Sequence, residues 1–124
     1  MNETLKILKE RRSIRSFRPE PVREEDLNAI LEAGIYAPSA KNLQSTKLVV
    51  VQDRETLALL ERVNAELLGD ADGHPFYGAP MAVVVLSDST YPCWLQDGAL
   101  VMGNLMNAAA ALGVGSCWIN RAIE

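Results

Sequence analysis

The feature that most constrains this chain is a long predicted helix with apolar residues on almost every side. It runs from Gln96 to Leu112 with the sequence QDGALVMGNLMNAAAAL. A helix that is apolar all round must be covered by other structure on every side. A chain of 124 residues has little other structure to provide that cover, so we expect a second subunit to supply part of it.

The same region does not read as a membrane span. The most apolar stretch, Ala99 to Ile119, is interrupted by Asn104, Asn107 and three glycines, which favours a buried helix that runs into a strand. The amino terminus, MNETLKILKE, alternates charged and apolar residues and lacks the apolar core of a signal peptide. We therefore expect a cytoplasmic protein without a membrane partner.

Helical and strand patterns alternate along the rest of the chain. Helices are predicted over Thr4 to Arg12, from about Arg23, and after Asp53, which can cap its helix while Gly69 suits the end. The third helix is expected to face inwards with Leu57, Leu60, Val63 and Leu67. Three short apolar runs, TKLVVVQ, MAVVVLS and VGSCWI, predict strands. The pattern indicates an α+β or α/β sandwich.

Positive charge is concentrated at the amino terminus of an acidic chain. The formal net charge is −4, yet the residues up to Arg23 include seven Lys or Arg against three Glu. A general nucleic-acid binder would show a basic face on a basic domain, whereas a local cluster fits a small anionic ligand. Two cysteines and one histidine are too few for a structural zinc site or a disulfide framework, which favours a reducing compartment.

The cluster itself consists of Arg11, Arg12, Ser13 and Arg15. A basic run at a helix end is usually a solvated face that complements the helix dipole. The alternative is a phosphate site, because guanidinium groups bind phosphate in bidentate fashion and a serine hydroxyl adds a neutral donor. A regulatory domain that binds an anion without catalysis would share this feature.

Two later segments have both an ordinary and a functional reading. APSAKNLQS, Ala37 to Ser45, is either a polar loop after a helix or a set of uncharged donors and acceptors suited to a heteroaromatic ring or a polyol. In LGVGSCWIN, Gly113 is a natural helix stop, and Gly115 marks either a bend or a close backbone approach. Cys117 has no recognisable base or acid partner, so it is not expected to be a nucleophile.

The three segments in this order resemble the nitroreductase family of flavoproteins. They read RRSIRSF, then APSAKNLQ before an apolar strand, then DGALVMGNLMNAAAALGVGSCWI, and the last is similar to the compact branch of the family. The resemblance covers Leu5 to Ile119. It implies an α+β sandwich with a mixed sheet flanked by helices. It also implies an intertwined homodimer with the long apolar helix at the interface and one FMN in each of two interfacial pockets.

The resemblance also implies roles for individual residues. Arg11, Arg12 and Ser13 match the motif that holds the FMN phosphate and ribityl chain, and Arg15 matches a basic residue near the pyrimidine edge. The loop that reaches the flavin from the partner subunit matches Pro38, Ser39, Asn42 and Gln44. The strand end that passes close to the ring matches Cys117, Trp118 and Ile119.

The implied activity is that of an FMN-dependent NAD(P)H oxidoreductase. Hydride passes from NAD(P)H to FMN N5 and, in a ping-pong cycle, to a small acceptor such as a nitroaromatic or a quinone. The chemistry takes place on FMN, so no catalytic side chain and no metal ligand are expected.

Two departures from the family pattern leave an alternative open. Gln44 is followed by Ser45 and Thr46 where family members commonly have Pro-Trp, and family members continue past the position of Glu124. The expectation is thus a single nitroreductase-like domain, residues 1–124, that lacks the C-terminal part. The alternative is a flavin-binding or dimerisation module without turnover.

Overall fold

The computed structural model describes residues 2–120 as four helices and two strands. In chain order these are α1 (Glu3–Glu10), α2 (Glu24–Ile35), β1 (Lys47–Val51), α3 (Arg54–Leu67), β2 (Ala82–Leu86) and α4 (Trp94–Ala111), with one short 3₁₀ turn (Ala40–Asn42) between α2 and β1. The four predicted helices and the first two strands are confirmed. However, α1 ends at Glu10, so Arg11 and Arg12 lie in the irregular chain that follows it.

The predicted start and end of α3 are confirmed. The Asp53 carboxylate accepts hydrogen bonds from the Thr56 amide at 2.9 Å and from the Thr56 hydroxyl at 2.7 Å. These two bonds hold the pKa of Asp53 below its ordinary value, because they favour the ionised carboxylate. Gly69 follows the helix with a φ of 79°, a left-handed conformation that glycine adopts without a steric penalty.

The inner face of α3 differs from the expectation. Leu57 and Leu60 are half-buried, but Val63 and Leu67 are exposed, while Ala65 is fully buried. The apolar residues of this helix fit two overlapping stripes, so helical spacing alone did not determine which stripe faces inwards.

The two strands form an antiparallel sheet, with pairs running from Lys47 opposite Leu86 to Val51 opposite Ala82. The prediction of a third strand at VGSCWI is wrong, because 114–119 is irregular. A single backbone bond, from Ile14 N–H to Ser116 O at 3.0 Å, joins this segment to the amino-terminal region. Within residues 2–120 the sheet is therefore antiparallel and not mixed.

The core lies between the sheet and the helix pair α2 and α4. Ile30 of α2 packs with Val101, Leu105 and Ala109 of α4, which repeat every four residues and so form one stripe. Leu48, Val83 and Val85 pack against this cluster from the sheet. No large side chain within residues 2–120 is completely buried.

Large apolar side chains remain exposed near this core. Ile35 and Tyr36, where α2 ends, are 62% and 77% exposed, and Leu95 and Leu100 of α4 are also exposed. In the single chain α4 is thus covered on one side. Within the described part of the chain, no helix is both long enough and apolar enough to cross a membrane.

Candidate functional site

Arg11 and Arg12 differ in how their guanidinium groups are engaged. Nη1 of Arg12 donates to the carbonyl oxygens of Lys9 at 2.7 Å and of Arg11 at 2.8 Å. It therefore satisfies acceptors left unpaired where α1 ends. Nη1 of Arg11, by contrast, is shielded from solvent and has no hydrogen-bond partner among residues 2–120. A shielded donor without an acceptor is costly, so the Arg11 guanidinium has a hydrogen-bonding capacity that residues 2–120 leave unused.

A cavity of about 380 Å³ lies beside these two side chains. Its walls come from both ends of the described chain: Glu10, Arg11, Arg12 and Ile14 on one side, and Ala110, Gly113, Val114, Gly115 and Ser116 on the other. With two arginines and one glutamate in its lining, the cavity carries a net positive charge.

The far wall of the cavity is formed by the turn that ends α4. Gly113 has a φ of 75°, and its N–H donates to Ala110 O at 3.1 Å while Val114 N–H donates to Ala109 O at 2.8 Å. This pair of bonds is a Schellman motif, the usual glycine-dependent helix end. The turn fixes the direction in which the chain leaves α4, and that direction brings 114–116 against the arginine segment.

Gly115 allows the two walls to approach each other closely. A Cβ atom at this position would lie 3.2 Å from the Cβ of Ile14, tighter than ordinary van der Waals contact. The Ile14–Ser116 backbone bond lies beside this contact. Gly115 was expected to mark either a bend or a close backbone approach, and the structure shows a close approach, by Ile14.

Other predicted residues flank the same region. Ser13 and Arg15 are exposed in the segment that contains Ile14. Cys117 and Ile119 are half-buried, and Trp118 is 42% exposed. The Cys117 thiol makes only a long contact, 3.9 Å, to Trp118 O. At this exposure Trp118 is not a core residue within the described chain.

The loop with Pro38, Ser39, Asn42 and Gln44 has a strained backbone. Lys41, Asn42 and Gln44 have φ values of 52°, 55° and 52°, a left-handed conformation that residues other than glycine seldom adopt. Gln44 N–H donates to Ser39 Oγ at 3.0 Å, and Gln44 Nε2 donates to Asn42 Oδ1 at 2.9 Å. Strain of this kind is concentrated at functional sites, where the surroundings enforce it.

One chain does not bring the arginine segment and this loop together. The loop is tied to Asp97 near the start of α4, whereas the arginine cavity lies at its end, beside Ala110. At 1.5 Å per residue, Asp97 and Ala110 are separated by about 20 Å along the helix axis. Within one chain the two sets of residues are therefore separated by most of the length of α4.

A larger groove, of about 510 Å³, lies between α3 and the loop before β2, with Arg54, Leu57, Glu61 and Phe76 in its lining. None of the residues predicted for the site lines this groove. The smaller arginine cavity is the better candidate, because it combines positive charge with a shielded donor that lacks an acceptor.

The sequence patterns did not point to Asp97, whose carboxylate accepts a hydrogen bond from the Ala40 amide at 3.0 Å. It is 3% exposed and is the single charged residue within α4. That isolation on an apolar helix was a signal available in the sequence, because a buried carboxylate requires a partner.

Comparison with known proteins identifies the family. The family model described as "Nitroreductase family" matches residues 8–122, which is most of the chain and includes every predicted site residue. The chain belongs to the nitroreductase family. Its α+β fold is the nitroreductase-like fold.

Individual nitroreductase relatives agree with this placement. A protein of Archaeoglobus fulgidus named "Putative NADH dehydrogenase/NAD(P)H nitroreductase" is 37% identical, and the match covers 96% of this chain and 68% of that protein. A protein of Methanothermobacter thermautotrophicus with the same name is 34% identical, and the match covers 94% of this chain and 60% of that protein. The chain thus spans about three-fifths to two-thirds of the length of these relatives.

Solved structures of nitroreductases show the same fold. The Bacteroides fragilis nitroreductase with bound FMN superposes with a TM-score of 0.90 at 32% identity, and the match covers 98% of this chain and 71% of that chain.

Proposed function

We propose that this nitroreductase family member is an FMN-dependent NAD(P)H oxidoreductase that works as a homodimer. The observation that carries the proposal is the Arg11 guanidinium, whose shielded Nη1 lacks an acceptor beside a positively charged cavity of about 380 Å³. A phosphate group supplies the missing acceptor oxygens. The bound FMN of the Bacteroides fragilis relative supports a flavin phosphate as the anion.

The chain's own residues would hold the cofactor in two sets. Arg11, Arg12 and Ser13 would bind the phosphate and the ribityl chain, and Arg15 would place positive charge beside the pyrimidine edge of the ring. From the partner chain, Pro38, Ser39, Asn42 and Gln44 would reach the ring, which Cys117, Trp118 and Ile119 would approach from the first chain.

The division of the site between two chains is supported by the exposed apolar surface. Ile35 and Tyr36 at the end of α2 and Leu95 and Leu100 on α4 are exposed in the single chain. Burying them against a second copy would complete the cover of α4. The same contact would bring the loop at the start of one α4 towards the cavity at the end of the other.

FMN, when bound, supplies the redox chemistry, namely hydride transfer between NAD(P)H and an acceptor such as a nitroaromatic or a quinone. The protein contributes binding, orientation and charge. The positive charge of Arg15 would favour reduction, because a nearby cation stabilises negative charge that develops on the ring. In this proposal residues 1–124 act as a single nitroreductase-like domain.

Reconstitution tests the proposal directly. The protein is mixed with FMN, desalted, and examined by visible absorption, and NADH or NADPH is then added without oxygen. We expect flavin bands that stay with the protein and bleach with reductant, then recover when a nitroaromatic or a quinone is added. A folded protein that emerges colourless from the desalting column would refute the proposed cofactor.

The second candidate is a flavin-binding or dimerisation module without turnover. The large exposed apolar surface at Ile35 and Tyr36 favours association whether or not a reaction occurs. The same experiment separates the two, since a flavin-loaded dimer that does not bleach with either reductant would support the passive module.

A further inference from the structure

Asp97 is a charged residue in a position that the rest of α4 fills with apolar side chains. It lies four residues before Val101 and continues the buried stripe of Val101, Leu105 and Ala109. Its exposure is 3%. Burying a carboxylate is unfavourable unless hydrogen bonds compensate it, so the partner of Asp97 indicates its role.

That partner lies in the strained loop. Oδ1 of Asp97 accepts from Ala40 N–H at 3.0 Å, across 57 residues of sequence. Oδ2 is shielded from solvent and has no partner among residues 2–120. Asp97 belongs to the first turn of α4, where the unpaired amides and the helix dipole favour a negative charge. The position in the first turn of α4 and the hydrogen bond from Ala40 N–H thus both stabilise the buried Asp97 carboxylate.

The other hydrogen bonds of the loop are local. Ser39, Asn42 and Gln44 bond to one another, and the backbone bonds of the 3₁₀ turn stay within 39–43. Within the described chain, the Asp97–Ala40 bond is the one that joins 38–44 to another element. Three left-handed residues in this loop require an outside constraint to persist, and this bond supplies it.

We propose that Asp97 is a positioning residue that holds the loop 38–44 in its binding conformation through the Ala40 amide. The inference rests on the proposed function in one respect, that this loop is the part that reaches the flavin of the partner chain. The helix α4 holds the loop near one end and lines the arginine cavity at the other. Asp97 therefore fixes the position of the loop relative to that cavity. Loss of the bond would loosen the loop without opening the core.

Trypsin tests the tether without any flavin. Lys41 is exposed within the loop, and cleavage after it requires local loosening. In the flavin-free protein under native conditions, Asp97→Ala should raise the cleavage rate after Lys41 roughly tenfold or more, as expected for loss of a hydrogen bond to a charged group. The rate is measured relative to cleavage after Arg62 in α3, so that global destabilisation cancels.

Two further variants make the result specific. Asp97→Asn keeps the Oδ1 acceptor but not its charge, so its cleavage rate should lie between those of the parent and Asp97→Ala. Asn104→Ala is the matched control, because it removes a side-chain bond of the same helix that ends outside the loop, from Asn104 Nδ2 to Ala33 O at 2.9 Å. Equal rates after Lys41 in the parent and Asp97→Ala, or equal increases in Asp97→Ala and Asn104→Ala, would overturn the proposal.

Hydrogen exchange at the Ala40 amide and FMN titration complete the test. If Asp97→Ala does not fold, hydrogen exchange at the Ala40 amide of the parent decides, since protection supports the tether and exchange at an unprotected rate overturns it. FMN titration of the folded variants then tests the link to the cofactor, with roughly tenfold weaker binding expected for Asp97→Ala alone. If the parent binds no FMN yet Asp97→Ala loosens the loop, the tether stands and the proposed function fails.

Discussion

Replacing Arg11 with alanine should weaken FMN binding far more than the same change at Arg12. A hydrogen bond to a charged group contributes about 1.5–3 kcal/mol. Phosphate binding would supply such a bond at Arg11, whose Nη1 lacks an acceptor. We therefore expect a loss of roughly ten- to a hundredfold in FMN affinity for Arg11→Ala.

Arg12→Ala is the matched control for this prediction. Its Nη1 is already engaged by two carbonyl oxygens at 2.7 and 2.8 Å, so a phosphate has to compete for it. The expected loss of FMN affinity is less than about tenfold. The variant should instead destabilise the end of α1, since it leaves those two carbonyls without their donor.

The assay compares FMN with riboflavin, which lacks the phosphate, by fluorescence titration of each variant. Arg11→Ala should lose affinity for FMN and keep its affinity for riboflavin. The thermal stability of flavin-free Arg11→Ala should be close to that of the parent, because the change removes an unpaired donor together with some packing. Equal losses for the two flavins, or a larger loss for Arg12→Ala, would refute the phosphate assignment.

Three other substitutions test the fold. Gly103→Ala should raise the free energy of unfolding in urea by about 0.5–1 kcal/mol, because alanine has the higher helix propensity and the added Cβ meets nothing within 4 Å. A decrease in that free energy would mean that a second chain covers this position. Gly113→Ala should lower that free energy by about 1–2 kcal/mol, since its φ is 75°. Asp53→Ala should lower the melting temperature at neutral pH, and the difference from the parent should vanish in acid. The pKa of Asp53 is held below 3.8 by Thr56, so its stabilisation is present above pH 3.8 and is lost as the pH falls through the lower, folded-state pKa.

The elements that could be predicted from sequence are those with local causes. β1 and β2 were placed to within one residue at each end, because short β-branched runs carry their own signal. Asp53, Gly69 and Gly113 marked helix ends correctly, because caps depend on neighbouring backbone groups.

The errors and omissions have non-local causes. The segment 114–119 has an apolar, strand-like composition, but a strand also needs a partner along its length. Within residues 2–120, one backbone bond joins this segment to the amino-terminal region, from Ile14 N–H to Ser116 O. The Asp97–Ala40 bond joins positions 57 residues apart, and no periodic pattern reports such a contact. The resemblance implied that the loop and the arginines of one pocket come from different chains, but their positions at opposite ends of α4 depend on contacts distant in sequence.

The placement of the two residue sets at opposite ends of α4 has a genetic consequence. If each pocket takes its arginines from one chain and its loop from the other, chains damaged at different ends can complement each other. A dimer of one Arg11→Ala chain and one Asp97→Ala chain would contain one pocket with both lesions and one pocket with neither. Co-expression of the two variants would then produce one unaltered pocket per mixed dimer, which neither variant forms alone. The effect of each substitution would therefore depend on the partner chain in the dimer.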